Sequence, residues 1–207
     1  MMFVIIIALI IIFLIMGNPI ERVEFKKEVK NYLSETYSNM NMRIDSIDYS
    51  FKEGDFSATV LSDKGIVFLV YENNIRKLDD NYVSSVWINE IQTAATKKTE
   101  EIVGSKVDVV VDIFINGKEI VKNVKNIPSY SNVEGKVSSS ATLSVTAAFS
   151  DNKAYSQIMD IIRWIKENKY YAETYFDSRD GSISIRIPPA ELDKIDSEDD
   201  IKKFIIH

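Results

Sequence analysis

The pattern of hydrophobic positions changes abruptly near residue 20. Residues 1–16 are apolar without interruption, and the uncharged run continues to Ile20. A helix of about twenty apolar residues has the length that crosses a hydrocarbon core. We therefore predict a transmembrane anchor over residues 1–18, with the lipid bilayer as its partner. A cleaved secretory signal and a buried core helix are the alternatives, but no basic residue precedes the run and it contains no Ala-x-Ala site.

A helix is predicted directly after this run. Asn18 is a favourable N-cap residue, Pro19 suits the first helical position, and Glu21 stands three residues after the cap. Apolar residues then recur at helical spacing as far as about residue 38. They are Phe25, Val29, Tyr32 and Leu33.

Alternating apolar and polar residues predict an antiparallel meander next. The apolar positions lie over residues 47–51, 56–60 and 66–71, and turn residues separate the three runs. Helical spacing returns between residues 80 and 103 and predicts a long helix that covers one face of the sheet. The first module is therefore expected to be α-β-β-β-α over residues 19–104.

The second half contains predicted strands and helices in a different order. A strand is predicted over residues 107–115, and Asn116-Gly117 favours a type I′ hairpin with a return strand over residues 118–124. A loop and a strand over residues 136–149 follow. We then expect a helix to about residue 169, capped by Ser150 or Asp151, a hairpin across Asp180-Gly181 and a short helix with an acidic cap. These elements form the second module, residues 105–207.

The predicted fold class is therefore α+β. The N-terminal transmembrane helix is followed by two antiparallel-sheet modules with covering helices. A domain boundary near Gly104 is expected, although the strand after it is also compatible with an extension of the first sheet.

Composition excludes several classes of function. The formal charge is −6, and no basic stripe is present, so no nucleic-acid partner is expected. His207 is the only histidine and cysteine is absent, which removes histidine-based triads, cysteine nucleophiles and the usual zinc sites. No catalytic residue, cofactor or metal site is predicted.

Three short motifs have structural explanations. Ser150-Asp151-Asn152-Lys153 matches two fragments of penicillin-recognising enzymes but lacks their third motif, and its residues are typical of a helix cap. Residues 177–181 resemble a calcium loop, but the third position is arginine, and a hairpin is favoured. The acidic residues at 79–80 and 196–200 precede predicted helices, where carboxylates favour the positive end of the helix dipole.

Aromatic residues suggest a binding surface near the predicted C-terminal hairpin. Strand alternation places Tyr171 and Tyr175 on one face and Tyr170 and Phe176 on the other. One of the two sets is expected in the core. The candidate binding surface consists of Trp164, Tyr171 and Tyr175.

Two stretches resemble a known family. "NPIERVEFKKEVKNYLSETY" followed by "MRIDSIDYSFKEGDFSATV" resembles the YfjL-like proteins of Gram-positive bacteria, which are small membrane-anchored proteins. The resemblance covers about the first 105 residues. It implies an exported, tethered domain and supplies no catalytic residues that can be carried over.

The expected function is that of a single-pass, membrane-anchored and non-enzymatic domain outside the cytoplasm. Such a domain would bind a protein or a cell-wall component, or modulate a partner. A tethered hydrolase that uses carboxylate or serine chemistry is one alternative. A cytoplasm-facing regulator is another, because Arg22, Lys26, Lys27 and Lys30 all follow the predicted span.

Overall fold

The chain divides into two compact units, residues 1–85 and 86–207. The computed structural model describes residues 17–121, 124–137, 140–149 and 152–206. The dividing point lies in the first turn of a long helix that spans Tyr82–Val103. The module boundary predicted near Gly104 lies just after the end of this helix and stays a prediction.

The first helix begins where the sequence predicts. α1 spans Pro19–Thr36, and the Asn18 side chain accepts a hydrogen bond from the Ile20 N–H at 3.0 Å. The Asn18 amide also donates to Glu21 Oε1 at 2.9 Å. This side-chain pair replaces the usual capping box, in which the acidic side chain accepts from the backbone of the cap residue.

The first sheet is the predicted meander with one short strand added. Its strands are β1 Met42–Ser50, β2 Asp55–Ser62, β3 Val67–Glu72 and β4 Leu78–Asp80. They are antiparallel and lie in chain order. A bulge interrupts β1 between Ile44 and Ser46. Before the bulge the even-numbered residues direct their backbone groups away from β2, and after it the odd-numbered residues do so.

Aromatic packing holds α1 on this sheet. α1 buries Phe25, Val29 and Leu33, and the Phe25 ring stacks on Phe56 of β2 with centroids 5.8 Å apart. Alternate β2 residues are buried, as period-two strands require. α1 therefore covers one face of the sheet.

A buried carboxylate joins α1 to the end of the sheet. Asp80 is fully buried and accepts hydrogen bonds from Tyr32 Oη at 2.5 Å and from Tyr37 Oη at 2.8 Å. It also accepts from the Tyr82 N–H at 2.9 Å, which caps α2, Tyr82–Val103. The sequence predicted the cap but not the two tyrosine donors.

The second unit contains a mixed sheet rather than the predicted antiparallel one. Its helices and strands are β5 Asp108–Ile113, α3 Glu134–Val137, β6 Ala141–Ala147, α4 Ala154–Asn168, β7 Glu173–Ser178, β8 Ser184–Ile187, α5 Pro189–Leu192 and α6 Glu198–Lys202. The strand order is β5-β6-β7-β8, and β6 and β7 are parallel. The cause is the connection between them, because α4 returns the chain to the same end of the sheet before β7 begins.

The predicted hairpin at Asn116-Gly117 is wrong. Asn116 Oδ1 accepts from the Lys118 N–H at 3.0 Å and caps a 3₁₀ turn over Gly117–Glu119. Asn116 has a φ of −71°, which a type I′ turn does not allow. β5 pairs instead with β6, which begins at residue 141 rather than 136.

The C-terminal hairpin is confirmed. β7 and β8 pair antiparallel, and Gly181 has a φ of +75° in the connection between them. The predicted caps of α4, Ser150 and Asp151, lie outside the described residues. α6 has the expected acidic cap, a capping box between Ser197 and Asp200.

The structure contradicts the predicted transmembrane helix. Among the described residues, no helix combines the length and the apolar character that crossing a bilayer requires. α1 and α2 have 18 and 22 residues, but both carry several charged side chains, which are costly to place in hydrocarbon. This finding overturns the transmembrane element of the fold class, the single-pass topology and the cell-membrane location. Residues 1–16 of the predicted anchor lie outside the described residues, and its last two residues, 17 and 18, are not helical.

We predict that Gly17 is needed both for its backbone conformation and for space. It has a φ of +70°, and a Cβ atom there would lie 2.6 Å from Phe56 Cζ and 2.8 Å from Tyr49 Cδ2. Gly54, with a φ of +77° and open space around it, is the matched control. Gly17→Ala should lower the free energy of unfolding by about 1–3 kcal/mol more than Gly54→Ala, since only the first substitution also overpacks aromatic rings. Urea denaturation measures the difference, and equal losses would contradict the prediction.

A second prediction concerns the stability of the fold in alkali. Burial, together with the adjacent Asp80 carboxylate, raises the pKa of Tyr37 above the ordinary tyrosine value. In the unfolded chain Tyr37 ionises near pH 10, so its contribution to stability is present below that pH and is lost as the pH rises further. The free energy of unfolding of Tyr37→Phe should therefore fall less steeply, by about 1.4 kcal/mol per pH unit, above pH 10.5. Parallel curves for the two proteins above this pH would show that Tyr37 is not the group responsible.

Candidate functional site

The three residues of the predicted aromatic surface contact different side chains. Tyr175 lies on β7, on the sheet face opposite the buried Phe176, and its hydroxyl donates to Glu173 Oε2 at 2.8 Å. Arg186 on β8 donates to Glu173 Oε1 at 2.7 Å, and its guanidinium lies 5.6 Å from the Tyr175 ring centroid. The hydrogen bonds from Tyr175 and Arg186 hold the pKa of Glu173 below its usual range.

Trp164 and Tyr171 have other partners. Trp164 packs edge-on against Tyr170 with centroids 5.4 Å apart. The Tyr171 hydroxyl donates to Asp193 Oδ1 at 2.6 Å, and the Tyr171 carbonyl accepts from Tyr130 Oη at 2.6 Å. The predicted alternation is confirmed, since Tyr170, Ala172, Thr174 and Phe176 are buried. A binding role for the other set stays a prediction.

A groove in the first unit has the chemistry of a ligand site. It lies between α1 and the segment that leads into β1, and its volume is about 570 Å³. Three cationic residues line it, Lys26 and Lys30 from α1 and Arg43 from β1. We call this cavity the basic groove.

The remaining lining of the basic groove is neutral. Polar groups come from Ser34, Ser38 and Asn41, and an apolar surface comes from Leu33, Met40, Met42 and Ile44. No aspartate, glutamate, histidine or cysteine is among the lining residues. The groove therefore offers positive charge and hydrogen-bond donors beside an apolar wall, a combination that suits an anion with apolar groups.

Helical geometry separates the charges of α1. At about 100° per residue, Lys26, Lys30 and Ser34 form one stripe along the helix. Glu24, Glu28 and Glu35 lie on the opposite side, about 160–200° from Lys26. Positive charge is therefore concentrated at the groove in a chain whose net charge is −6, and such local concentration favours anion binding.

The groove wall is connected to the buried carboxylate of the first unit. Tyr37 lines the groove and also donates to Asp80. The interactions of Asp80 with Tyr32 and Tyr37 fix the C-terminal half of α1 relative to β4. The separation of the two groove walls is therefore set by packing rather than by a ligand.

The acidic motifs of the sequence have structural partners. Asp200 accepts from Ser197 and pairs with Lys203, and these contacts hold its pKa below the usual range. Asp180 accepts from the Ser182 N–H and hydroxyl within the β7–β8 connection. In the described part of the chain, no group of three or more possible metal ligands is assembled.

Sequence reasoning missed the basic groove, although part of its signal was visible. The spacing of four between Lys26, Lys30 and Ser34 places them on one face of the predicted helix. On the sequence, these lysines bear only on membrane orientation. Arg43 has no local signal as a lining residue, because only the packing of β1 beside α1 places it at the groove.

The comparison with known families matches the first unit by itself. Residues 1–85 match the model of the YfjL-like, N-terminal domain. This segment is shorter than the 105 residues of the resemblance seen in the sequence. The chain has no significant match to a curated protein or to a solved structure. The matched segment coincides with the first compact unit, so the basic groove lies within the part of the chain that resembles the N-terminal domain of YfjL-like proteins.

Proposed function

We propose that the first unit is a non-enzymatic binding domain that takes an anionic ligand into the basic groove. The observation that carries this proposal is that Lys26 and Lys30 line one cavity of about 570 Å³ whose described lining contains no acidic residue. Arg43 also lines this cavity, and its guanidinium lies 3.3 Å from Asp45 Oδ1. Each cation can donate charge-assisted hydrogen bonds, which are stronger than neutral ones. A ligand bound there would neutralise charges that α1 holds close together.

The groove chemistry favours binding over hydrolysis. Hydrolysis by general acid–base catalysis needs a proton acceptor such as a carboxylate or an imidazole, and neither type of side chain lines this cavity. The lining serines, Ser34 and Ser38, have no such base beside them in the groove. Recognition of an anion requires only the groups that line it.

The test compares lysines that differ only in their position on α1. Binding of inorganic tripolyphosphate to the full chain is measured by titration calorimetry at low ionic strength. Lys26→Ala and Lys30→Ala, as single variants, should each weaken binding by about tenfold, since each lysine supplies a charge-assisted hydrogen bond. Lys27→Ala, which removes a charge about 100° away from Lys26 on the same helix, should weaken it less than about threefold.

Two results would contradict this function. An equal loss of affinity in Lys26→Ala and Lys27→Ala would show that only the overall charge of α1 attracts the probe. Absence of binding by the wild-type chain at about 10 mM tripolyphosphate would show that the groove is not an anion site. Retention of the wild-type thermal unfolding midpoint by all three variants serves as the folding control.

A further inference from the structure

Among the described residues, one side of the basic groove is the edge strand of the first sheet, β1. The Ser62 N–H donates to the Ile66 carbonyl at 2.9 Å, so the even-numbered residues of β2 direct their backbone groups toward β3. The odd-numbered residues, Leu61 among them, direct theirs toward β1. Leu61 is opposite Arg43. The backbone N–H and C=O groups of Met42 and Ile44 therefore point away from the sheet.

The same edge already binds a cation from α1 at another position. Beyond the bulge, the Arg22 guanidinium donates to the Ile47 carbonyl at 2.7 Å. This bond covers the edge on the far side of the bulge. Within the described ranges no comparable group bonds the outward backbone of Met42 or Ile44, and both residues line the groove.

The lining also shows that the cavity meets the backbone of β1. Successive strand residues point to opposite faces of a sheet, yet Met42, Arg43 and Ile44 all line the groove. A cavity on one face would be lined by alternate residues. The groove therefore runs along the strand edge, where an extended chain can form backbone hydrogen bonds.

We infer that the basic groove receives an extended acidic peptide, which adds as a strand beside Met42–Ile44 and places its carboxylates at Lys26 and Lys30. This inference rests on the proposed function and specifies its ligand. Alternate residues of a strand are about 6.6 Å apart, and Lys26 and Lys30 are separated by about 6 Å along the helix axis. A Glu-x-Glu segment therefore matches the spacing of the lysines.

The apolar lining suits the methylene groups of the acidic side chains, which point toward α1. Met40 and Met42 have unbranched, adaptable side chains that accommodate varied apolar groups. Leu33 forms a buried apolar position in the groove. The partner is therefore expected to carry acidic residues at alternate positions over about four or five residues.

The test follows single backbone amides of the full ¹⁵N-labelled chain. The probe is the peptide acetyl-Val-Glu-Val-Glu-Val-amide, and hydrogen exchange is measured by NMR with and without saturating peptide. Exchange of the outward Met42 and Ile44 amides should slow by at least about tenfold, because each gains or is shielded by a backbone partner. The Arg43 amide, which already faces β2, is the internal control and should not change.

Matched probes and variants separate backbone pairing from simple charge attraction. A peptide with lysine in place of glutamate should not bind, and N-methylation of the central valine should weaken binding by about fivefold or more. Met42→Pro removes one outward N–H at the first residue of an edge strand, where proline is tolerated. It should weaken peptide binding by a similar factor, whereas Met42→Leu, which keeps the N–H, should not.

The outcomes distinguish this inference from the proposed function. If tripolyphosphate binding depends on Lys26 and Lys30 but up to about 10 mM peptide leaves the Met42 and Ile44 amides unprotected, strand addition is wrong and anion binding stands. If neither probe responds to the lysine substitutions, the proposed function itself is wrong. Protection of the same amides that rises with protein concentration, without peptide, would identify a second copy of the chain as the occupant and overturn the inference.

Discussion

The first unit depends on a buried carboxylate, Asp80, that accepts hydrogen bonds from two tyrosine hydroxyls and a backbone amide. Burying a charged group is costly unless hydrogen bonds replace its lost water, and Asp80 receives bonds from Tyr32, Tyr37 and the Tyr82 N–H. These donors come from α1 and from the start of α2, so the bonds form only when the helices and β4 take their native positions. One polar residue therefore specifies the position of α1 on the sheet.

The basic groove is a consequence of that arrangement. α1 presents its apolar stripe to the sheet, and the neighbouring stripe, with Lys26 and Lys30, faces the entrance to β1. Because Tyr37 contributes both to the groove and to the Asp80 interaction, packing within the first unit holds this part of the groove wall in place. A wall held in place loses less conformational entropy on binding, which is consistent with a recognition surface.

The sheets of the two units have different topologies, although their strands have the same alternating pattern. Short turns join the strands of the first sheet and make it antiparallel throughout. In the second unit α4 separates β6 from β7, and the pair becomes parallel. The local sequence of each strand is similar in both units, with period-two alternation, so strand direction is set by the connections rather than by the strands themselves.

The sequence by itself determined the elements whose signals are local. The Asn18-Pro19 helix start, the alternating strands of the first sheet and the turn at Asp180-Gly181 all depend on neighbouring residues, and all are present. The hairpin predicted at Asn116-Gly117 is wrong because Asn116 is also suited to capping a 3₁₀ turn. No local signal distinguishes a hairpin turn from this cap. Tertiary structure alone decided the pairing of β5 with β6, the donors to Asp80 and the position of β1 beside the lysines of α1. Each of these joins residues that are distant in sequence, and their proximity depends on packing that no single segment specifies.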